Sequence, residues 1–145
     1  MVKFEQHINI LNNDSSVIDE LKNACSEHNL SIGQIKTAIQ KGALWLSRKK
    51  HTTRLRKVKK ALQENDTLHF YYDQSVLSQV PQEAKLISDQ QGYSVWYKPY
   101  GMLSQGSKWS DHCTIARWAE THLTPQRPAF IVHRLDRAAS GLIII

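Results

Sequence analysis

A loop in the sequence gathers ionisable side chains between two apolar runs, residues 131–132 and 142–145. Its ionisable residues are His133, Arg134, Asp136 and Arg137, and the pair Ser140 and Gly141 follows them. The branched apolar residues on both sides predict two short, fully buried strands. A loop of charged groups held by rigid strands is a common arrangement for a functional site.

Asp136 is the residue of this loop whose type is best suited to chemistry. A free aspartate has a pKa of about 3.9, so its side chain is a carboxylate at neutral pH. The neighbours Arg134 and Arg137 are expected to keep that carboxylate ionised even where water is partly excluded. An ionised, oriented carboxylate acts as a nucleophile or as a base. The alternative is a purely structural ion pair or helix cap on the surface.

The RluA family of RNA pseudouridine synthases has an active-site motif that resembles residues 133–141, His-Arg-Leu-Asp-Arg-Ala-Ala-Ser-Gly. A second element of that family, a strand followed by Lys-Pro-x-Gly, resembles residues 95–103, which contain Lys98, Pro99 and Gly101. Two positions depart from the family pattern: Ala139 stands where Thr is usual, and Tyr97 where a small polar residue is usual.

This resemblance implies an enzyme that converts uridine in structured ribosomal or transfer RNA into pseudouridine, with no metal and no cofactor. Asp136 would assist cleavage of the glycosidic bond, as nucleophile or as base, before the uracil is rejoined through carbon 5. Arg134 would enter the space that the flipped base leaves, since a planar cation stacks on the neighbouring bases. His133 and Arg137 would contact the RNA.

The composition is that of a globular protein with a basic surface. The chain has 145 residues, a formal net charge of +6 and a pI near 9.4, enough for one ordinary domain or two small ones. No apolar stretch is long enough to span a bilayer, and the polar N-terminus is unlike a signal peptide. Cys25 and Cys113 are isolated and give neither a disulfide framework nor a metal-binding pattern. We therefore expect a cytoplasmic monomer without a membrane partner.

A basic run lies between Glu27 and Glu64, a stretch with no acidic residue. Its Lys and Arg side chains are those of Arg48, Lys49, Lys50, Arg54, Arg56, Lys57, Lys59 and Lys60. Like charges repel and destabilise the folded chain unless a polyanion neutralises them. Binding RNA phosphates releases counterions, which favours association. We interpret the run as an RNA-binding surface, the alternative being an ordinary solvated face.

The elements predicted around this run are a strand at residues 2–10, a helix from residue 15, a second helix from residue 31, and strands at 43–47 and 67–72. Ser31 and Gln34 have the spacing of a capping box, and Gly42 is placed to end the second helix. Ile32, Ile35 and Ile39 are expected to form its buried stripe.

This order of elements over residues 31–73 resembles the alpha-L RNA-binding motif, a small domain named after a ribosomal small-subunit protein. Such a domain precedes the catalytic domain in many members of the synthase family. The resemblance implies that the second helix and the loop after it face RNA, which adds Ser31, Lys36 and Lys41 to the candidate RNA-binding residues.

We therefore expect an α+β protein with a small RNA-binding domain at residues 1–75, whose core is 31–73, and a linker at residues 76–83. Residues 84–145 would be the first part of a mixed, mainly antiparallel β-sheet catalytic domain. In that part the sequence predicts a hairpin of strands 85–89 and 93–97 and a helix at 114–122.

The sequence stops inside a predicted core strand, and the family's later motifs, including an active-site Tyr and a basic partner for the aspartate, have no counterpart here. We therefore expect a truncated form without activity of its own. Two other functions stay open: a non-catalytic RNA-binding protein that uses only the N-terminal domain, and a nucleosidase or base-removing glycosylase that uses the carboxylate of Asp136.

Overall fold

The computed structural model describes residues 1–145, and its mixed helices and antiparallel sheets confirm the predicted α+β class. The chain forms two compact units. Unit 1 consists of Met1–Ser78 with Lys108–Ser110, and unit 2 of Gln79–Ser107 with Asp111–Ile145. The boundary at residue 78 falls within the stretch interpreted as a linker, while the domain bounds stay a prediction. None of the helices has both the length and the apolar character needed to cross a lipid bilayer.

Unit 1 is a four-stranded antiparallel sheet with helices. Its elements in chain order are β1 Lys3–Asn9, α1 Val17–Ala24, a short 3-10 turn Ser26–His28, α2 Ile32–Gln40, β2 Leu44–Arg48, β3 His51–Arg54, β4 Thr67–Asp73 and α3 Gln74–Leu77. The strand order across the sheet is β1-β4-β2-β3. The hairpin of β2 and β3 was not predicted, because β3 has only four residues and none of them is apolar, so it shows no hydrophobic alternation.

Local sequence explains where the helices of unit 1 begin and end. The predicted capping box is present: Ser31 Oγ accepts from the backbone N–H of Gln34, and the Gln34 side chain accepts from the N–H of Ser31. Gly42 follows α2 with a φ of 95°, a conformation that favours glycine. The turn of α3 was missed, because the carboxylate of Asp73 caps a stretch without apolar periodicity.

The core of unit 1 lies between the sheet and the helices. The alternation of β4 directs Leu68 and Phe70 into this core, where Ile35 and Ile39 of α2 are also buried. Ile32 was expected to share that stripe but is 48% exposed. It lies in the first turn of α2, at the end of the helix, where the core no longer covers it.

Arg48 has a structural role in unit 1. Its Nε and Nη2 donate to the two carboxylate oxygens of buried Asp66 at 3.0 and 2.8 Å, and the backbone N–H of Gln63 donates to the same carboxylate at 2.8 Å. The hydrogen-bonded guanidinium lowers the pKa of Asp66 below its usual range, although burial opposes this. The expectation that the basic run has no counter-charge is therefore wrong for Arg48.

Unit 2 is a three-stranded antiparallel sheet, β5-β6-β7, with one helix. Its elements are β5 Lys85–Asp89, β6 Ser94–Lys98, α4 Ile115–His122 and β7 Gly141–Ile144, so the predicted hairpin and helix are confirmed. Trp96 of β6 lies opposite Ile143 of β7, and both pack with Ile115 and Ala119 of α4 in the core of this unit.

The two apolar runs around the candidate loop differ from the prediction. Residues 131–132 form no strand, and Val132 is 71% exposed. Residues 142–144 do lie in β7, but only Ile143 is buried there, while Leu142 and Ile144 are exposed. Successive side chains of a strand point to opposite faces, and only one face of this sheet packs against the core. The run of aliphatic residues predicted a strand buried on both faces, but the same run is also compatible with a strand buried on one face only.

Replacing Arg48 by Gln should lower the free energy of unfolding of unit 1 by about 2–4 kcal/mol, because the carboxylate of Asp66 stays buried without its cation. Lys50→Gln removes an exposed cation from the same basic run and should change that free energy by less than about 0.5 kcal/mol. Urea unfolding followed by the amide NMR signals of β4 measures both. Equal stability of the two variants would contradict a structural role for Arg48.

Candidate active site

Asp136 lines a cavity of about 180 Å³ in unit 2. Two segments that are distant in sequence form its walls, and the lining residues are Leu103, Ser104, Gln105, Arg134, Leu135, Asp136 and Arg137. The Asp136 side chain is exposed, and its carboxylate makes no hydrogen bond to the rest of the chain. An accessible carboxylate whose oxygens are not already engaged is able to act on a bound molecule.

The backbone on either side of Asp136 is hydrogen-bonded to the turn that follows β6. On the N-terminal side, Ser104 Oγ donates to the carbonyl of Leu135 at 2.6 Å and accepts from its N–H at 3.0 Å. On the C-terminal side, the N–H of Gly101 donates to the carbonyl of Arg137 at 2.7 Å, and Arg137 Nε donates back to the Gly101 carbonyl at 3.3 Å. The two motifs that the sequence singled out thus lie side by side.

Lys98, the last residue of β6, is fully buried beneath this turn. Its Nζ donates to the carbonyl of Met102 at 2.7 Å and to that of Pro99 at 3.2 Å, which closes the turn on itself. Burial lowers the pKa of Lys98, and the negative charge of Asp136 opposes this shift. The sequence indicated Lys98 only as part of a motif, so its buried position and its role in closing the turn were missed.

The arginines expected to hold Asp136 ionised do not pair with it. Neither Arg134 nor Arg137 forms an ion pair with the carboxylate, and Arg137 uses its Nε on the Gly101 carbonyl. Arg134 is exposed at the cavity wall with no hydrogen-bond partner in the chain. Adjacency in sequence did not predict pairing, because residues of an irregular loop point in different directions.

His133 is tied to the edge of the sheet. Its Nε2 accepts a hydrogen bond from the backbone N–H of Ile144 at 3.0 Å, which requires the neutral imidazole with Nε2 unprotonated. This bond engages one backbone group of strand β7. Contact of His133 with RNA stays a prediction.

In unit 1 the candidate RNA-binding residues fall into two groups. Some make hydrogen bonds within the unit: Ser31 caps α2, Lys41 donates to the Leu77 carbonyl at 2.7 Å, Arg56 donates to the Gln40 carbonyl at 3.0 Å, and Arg48 binds Asp66. Arg54 lies over the ring of Trp45, 4.4 Å from its centroid. The side chains that remain exposed are those of Lys36, Lys49, Lys50, Lys57, Lys59 and Lys60. These six lysines form the exposed part of the predicted surface.

The sheet of unit 1 also carries aromatic residues that belong to none of the predicted functional motifs. Tyr71 contacts Trp109 edge-on, and the ammonium of Lys108 lies 4.8 Å from the Tyr71 ring centroid. Trp45 donates from Nε1 to the carbonyl of Lys108 at 3.0 Å. The alternation of β4 directs Tyr71 away from the core, so the sequence could have indicated an exposed aromatic residue there. It could not have indicated Lys108 and Trp109 as its neighbours, because they are distant in sequence.

Replacing Gly101 by Ala should destabilise unit 2 by about 1–2 kcal/mol, because its φ of 88° is strained for a residue with a side chain. Gly92→Ala is the matched control, since a Cβ there meets no atom within 4 Å, and we expect a change below about 0.5 kcal/mol. Urea unfolding followed by the amide NMR signals of β6 compares the two. If Gly101→Ala is as stable as Gly92→Ala, the turn does not depend on this conformation.

Part of unit 2 is similar to a known protein family. No curated protein matches the chain. A protein-family model does match, and the matched segment begins just before β6 and contains the turn after it, α4 and the Asp136 loop. That model is described as RNA pseudouridylate synthase, and residues 92–145 of this chain are similar to it.

Proposed function

We propose that this chain belongs to an RNA pseudouridine synthase of the RluA type, in which Asp136 carries the chemistry. The observation that supports this most strongly is that the segment similar to the RNA pseudouridylate synthases contains Asp136, and that Asp136 is exposed at a cavity with its flanking backbone anchored. An isomerase of this kind acts on RNA, which agrees with a formal net charge of +6.

In the proposed reaction the target uridine leaves the base stack and enters the cavity. Unstacking costs a few kcal/mol, and contacts in the pocket together with neutralised phosphates offset this cost. The Asp136 carboxylate then assists cleavage of the bond between the ribose and N1 of uracil, as nucleophile or as base toward the sugar. The uracil turns and is rejoined to the ribose through carbon 5, so no atom is gained or lost.

Arg134 is proposed to occupy the space that the flipped base leaves. Its guanidinium is exposed at the cavity wall and has no partner in the chain that it would have to give up. A planar cation stacks on bases and also donates to phosphates. A lysine at this position would keep the charge but lose the planar surface.

We further propose that unit 1 is an alpha-L RNA-binding domain that supplies part of the affinity for RNA. The six exposed lysines support this, because none of them forms a salt bridge, although the charge of Lys60 helps to lower the pKa of Asp66. The substrate would be ribosomal or transfer RNA, met in the cytoplasm by a monomer.

Asp136→Asn tests the proposed reaction, since it removes the charge while keeping the shape of the side chain. The codon is changed in the gene, and pseudouridine is mapped across total cellular RNA. At least one uridine should lose its conversion, with the rate reduced by at least about 100-fold. Asp14→Asn, at an exposed turn residue whose positive φ suits Asn, should leave the map unchanged.

If no position changes in the Asp136→Asn cells, the proposed function is wrong. If the unmodified protein instead produces free uracil and an abasic ribose at the affected position, the chain is a base-removing glycosylase that uses the same carboxylate.

The double variant Lys57→Gln, Lys59→Gln tests the RNA-binding surface. It should weaken binding of a structured ribosomal RNA fragment and reduce the slope of log affinity against log salt by about 0.7–0.9 for each phosphate that the protein no longer neutralises. Fluorescence anisotropy between 50 and 200 mM salt measures both, with the exposed Lys85→Gln of unit 2 as control. An unchanged slope would show that these lysines do not contact phosphates.

A further inference from the structure

We propose that Ser104 is a positioning residue that fixes where the carboxylate of Asp136 lies, without taking part in the reaction itself. The proposal rests on the proposed function of Asp136. It gives a task to a side chain that neither the candidate motifs nor the similarity to a family assigns.

The hydroxyl of Ser104 makes the hydrogen bonds to a loop residue that the backbone of a neighbouring strand makes in a β-sheet. It donates to the carbonyl of Leu135 at 2.6 Å and accepts from the N–H of the same residue at 3.0 Å. Leu135 lies 31 positions further along the chain, immediately before Asp136. Both backbone groups of Leu135 are therefore satisfied by one side chain, in a loop that has no strand pairing.

The position of Ser104 is fixed by its own segment, which is packed into unit 2. Ser104 is 6% exposed and follows the turn that the buried ammonium of Lys98 closes. The residue before it, Leu103, is bridged to Thr114, and the Leu103 carbonyl accepts from the N–H of Ile115 at 2.8 Å, which joins this segment to the start of α4. The position of the hydroxyl is thus set by the core of unit 2 and not by the loop that it holds.

Asp136 itself lies between fixed points. Leu135 is held by Ser104, Arg137 is held by Gly101, and the carbonyl of Asp136 accepts from the N–H of Ala139 at 2.9 Å. The backbone is fixed on both sides, while the carboxylate stays unbonded and exposed. Catalytic groups need this combination, because a misplacement of about 1 Å costs on the order of 100-fold in rate.

The residue type matters at position 104. A hydroxyl donates and accepts at once, which alanine does not do and which a thiol does only weakly. Threonine keeps the hydroxyl. The single proton of the Ser104 hydroxyl is committed to the Leu135 carbonyl, and the side chain, although it lines the cavity, is almost fully buried, so the hydroxyl has no proton to give to a substrate.

The test compares Ser104→Ala and Ser104→Thr with a matched control, Ser94→Ala. Ser94 is also buried in unit 2, and its hydroxyl also makes two hydrogen bonds, to the Ile145 carbonyl and from the Trp96 indole. Its loss removes an equivalent pair of bonds away from the Asp136 loop. Any effect specific to Ser104 must exceed that of Ser94→Ala.

Amide hydrogen exchange gives the first readout and needs no activity. In Ser104→Ala the exchange of the Leu135 amide should accelerate at least tenfold relative to the wild-type protein, while in Ser94→Ala it should stay near the wild-type rate. Ser104→Thr should restore protection of Leu135. Unchanged protection of Leu135 in Ser104→Ala overturns the proposal, whatever the function of the chain.

Pseudouridine formation gives the second readout, in the cells and at the uridine identified with Asp136→Asn. At matched protein levels, Ser104→Ala should slow conversion of that uridine at least tenfold, with affinity of the purified protein for the RNA unchanged within twofold, and Ser104→Thr should recover most of the rate. A rate equal to that of Ser94→Ala overturns the positioning role while the proposed function stands. If Asp136→Asn has no effect on any uridine, the proposed function fails and the positioning role fails with it.

Discussion

The candidate site depends on how the backbone of one irregular loop is satisfied. Residues 133–140 belong to no strand or helix, so their N–H and C=O groups have no regular partners. The turn after β6 supplies partners through the Ser104 hydroxyl and the Gly101 backbone. Leu135 is half-buried, and a backbone group that is shielded from water without such a partner costs roughly 1–3 kcal/mol. The two motifs are therefore separate in sequence but form one structural feature.

Lys98 shows how much that feature relies on a buried charge. Burying an ammonium is unfavourable unless it is well hydrogen-bonded, and here it donates to two carbonyls of its own turn, while the negative charge of Asp136 opposes the lowering of its pKa. An apolar side chain at position 98 would leave the Met102 carbonyl without the Lys98 donor and the Pro99 carbonyl with only the long hydrogen bond from the N–H of Met102 at 3.4 Å. The same cation thus orders the turn and contributes positive potential near the carboxylate.

Much of the fold was predictable because it is encoded locally. The capping box of α2, the alternation of β4 and the hairpin of β5 and β6 each depend on residues a few positions apart. The site was predictable only as a set of residue types. That Arg48 pairs with Asp66, and that Ser104 binds the backbone of Leu135, depends on contacts between distant segments, which charge and spacing in a sequence do not report.

The cations of unit 1 differ in whether a partner within the fold neutralises their charge. Arg48 lies against a buried carboxylate, so its charge is neutralised within the fold. Lys57 and Lys59 are exposed, so their mutual repulsion is relieved only by solvent ions or by a polyanion. A count of positive residues treats these cases alike. The physical difference is whether a partner inside the fold has already neutralised the charge, and only the unpaired cations are free to release counterions on binding a polyanion.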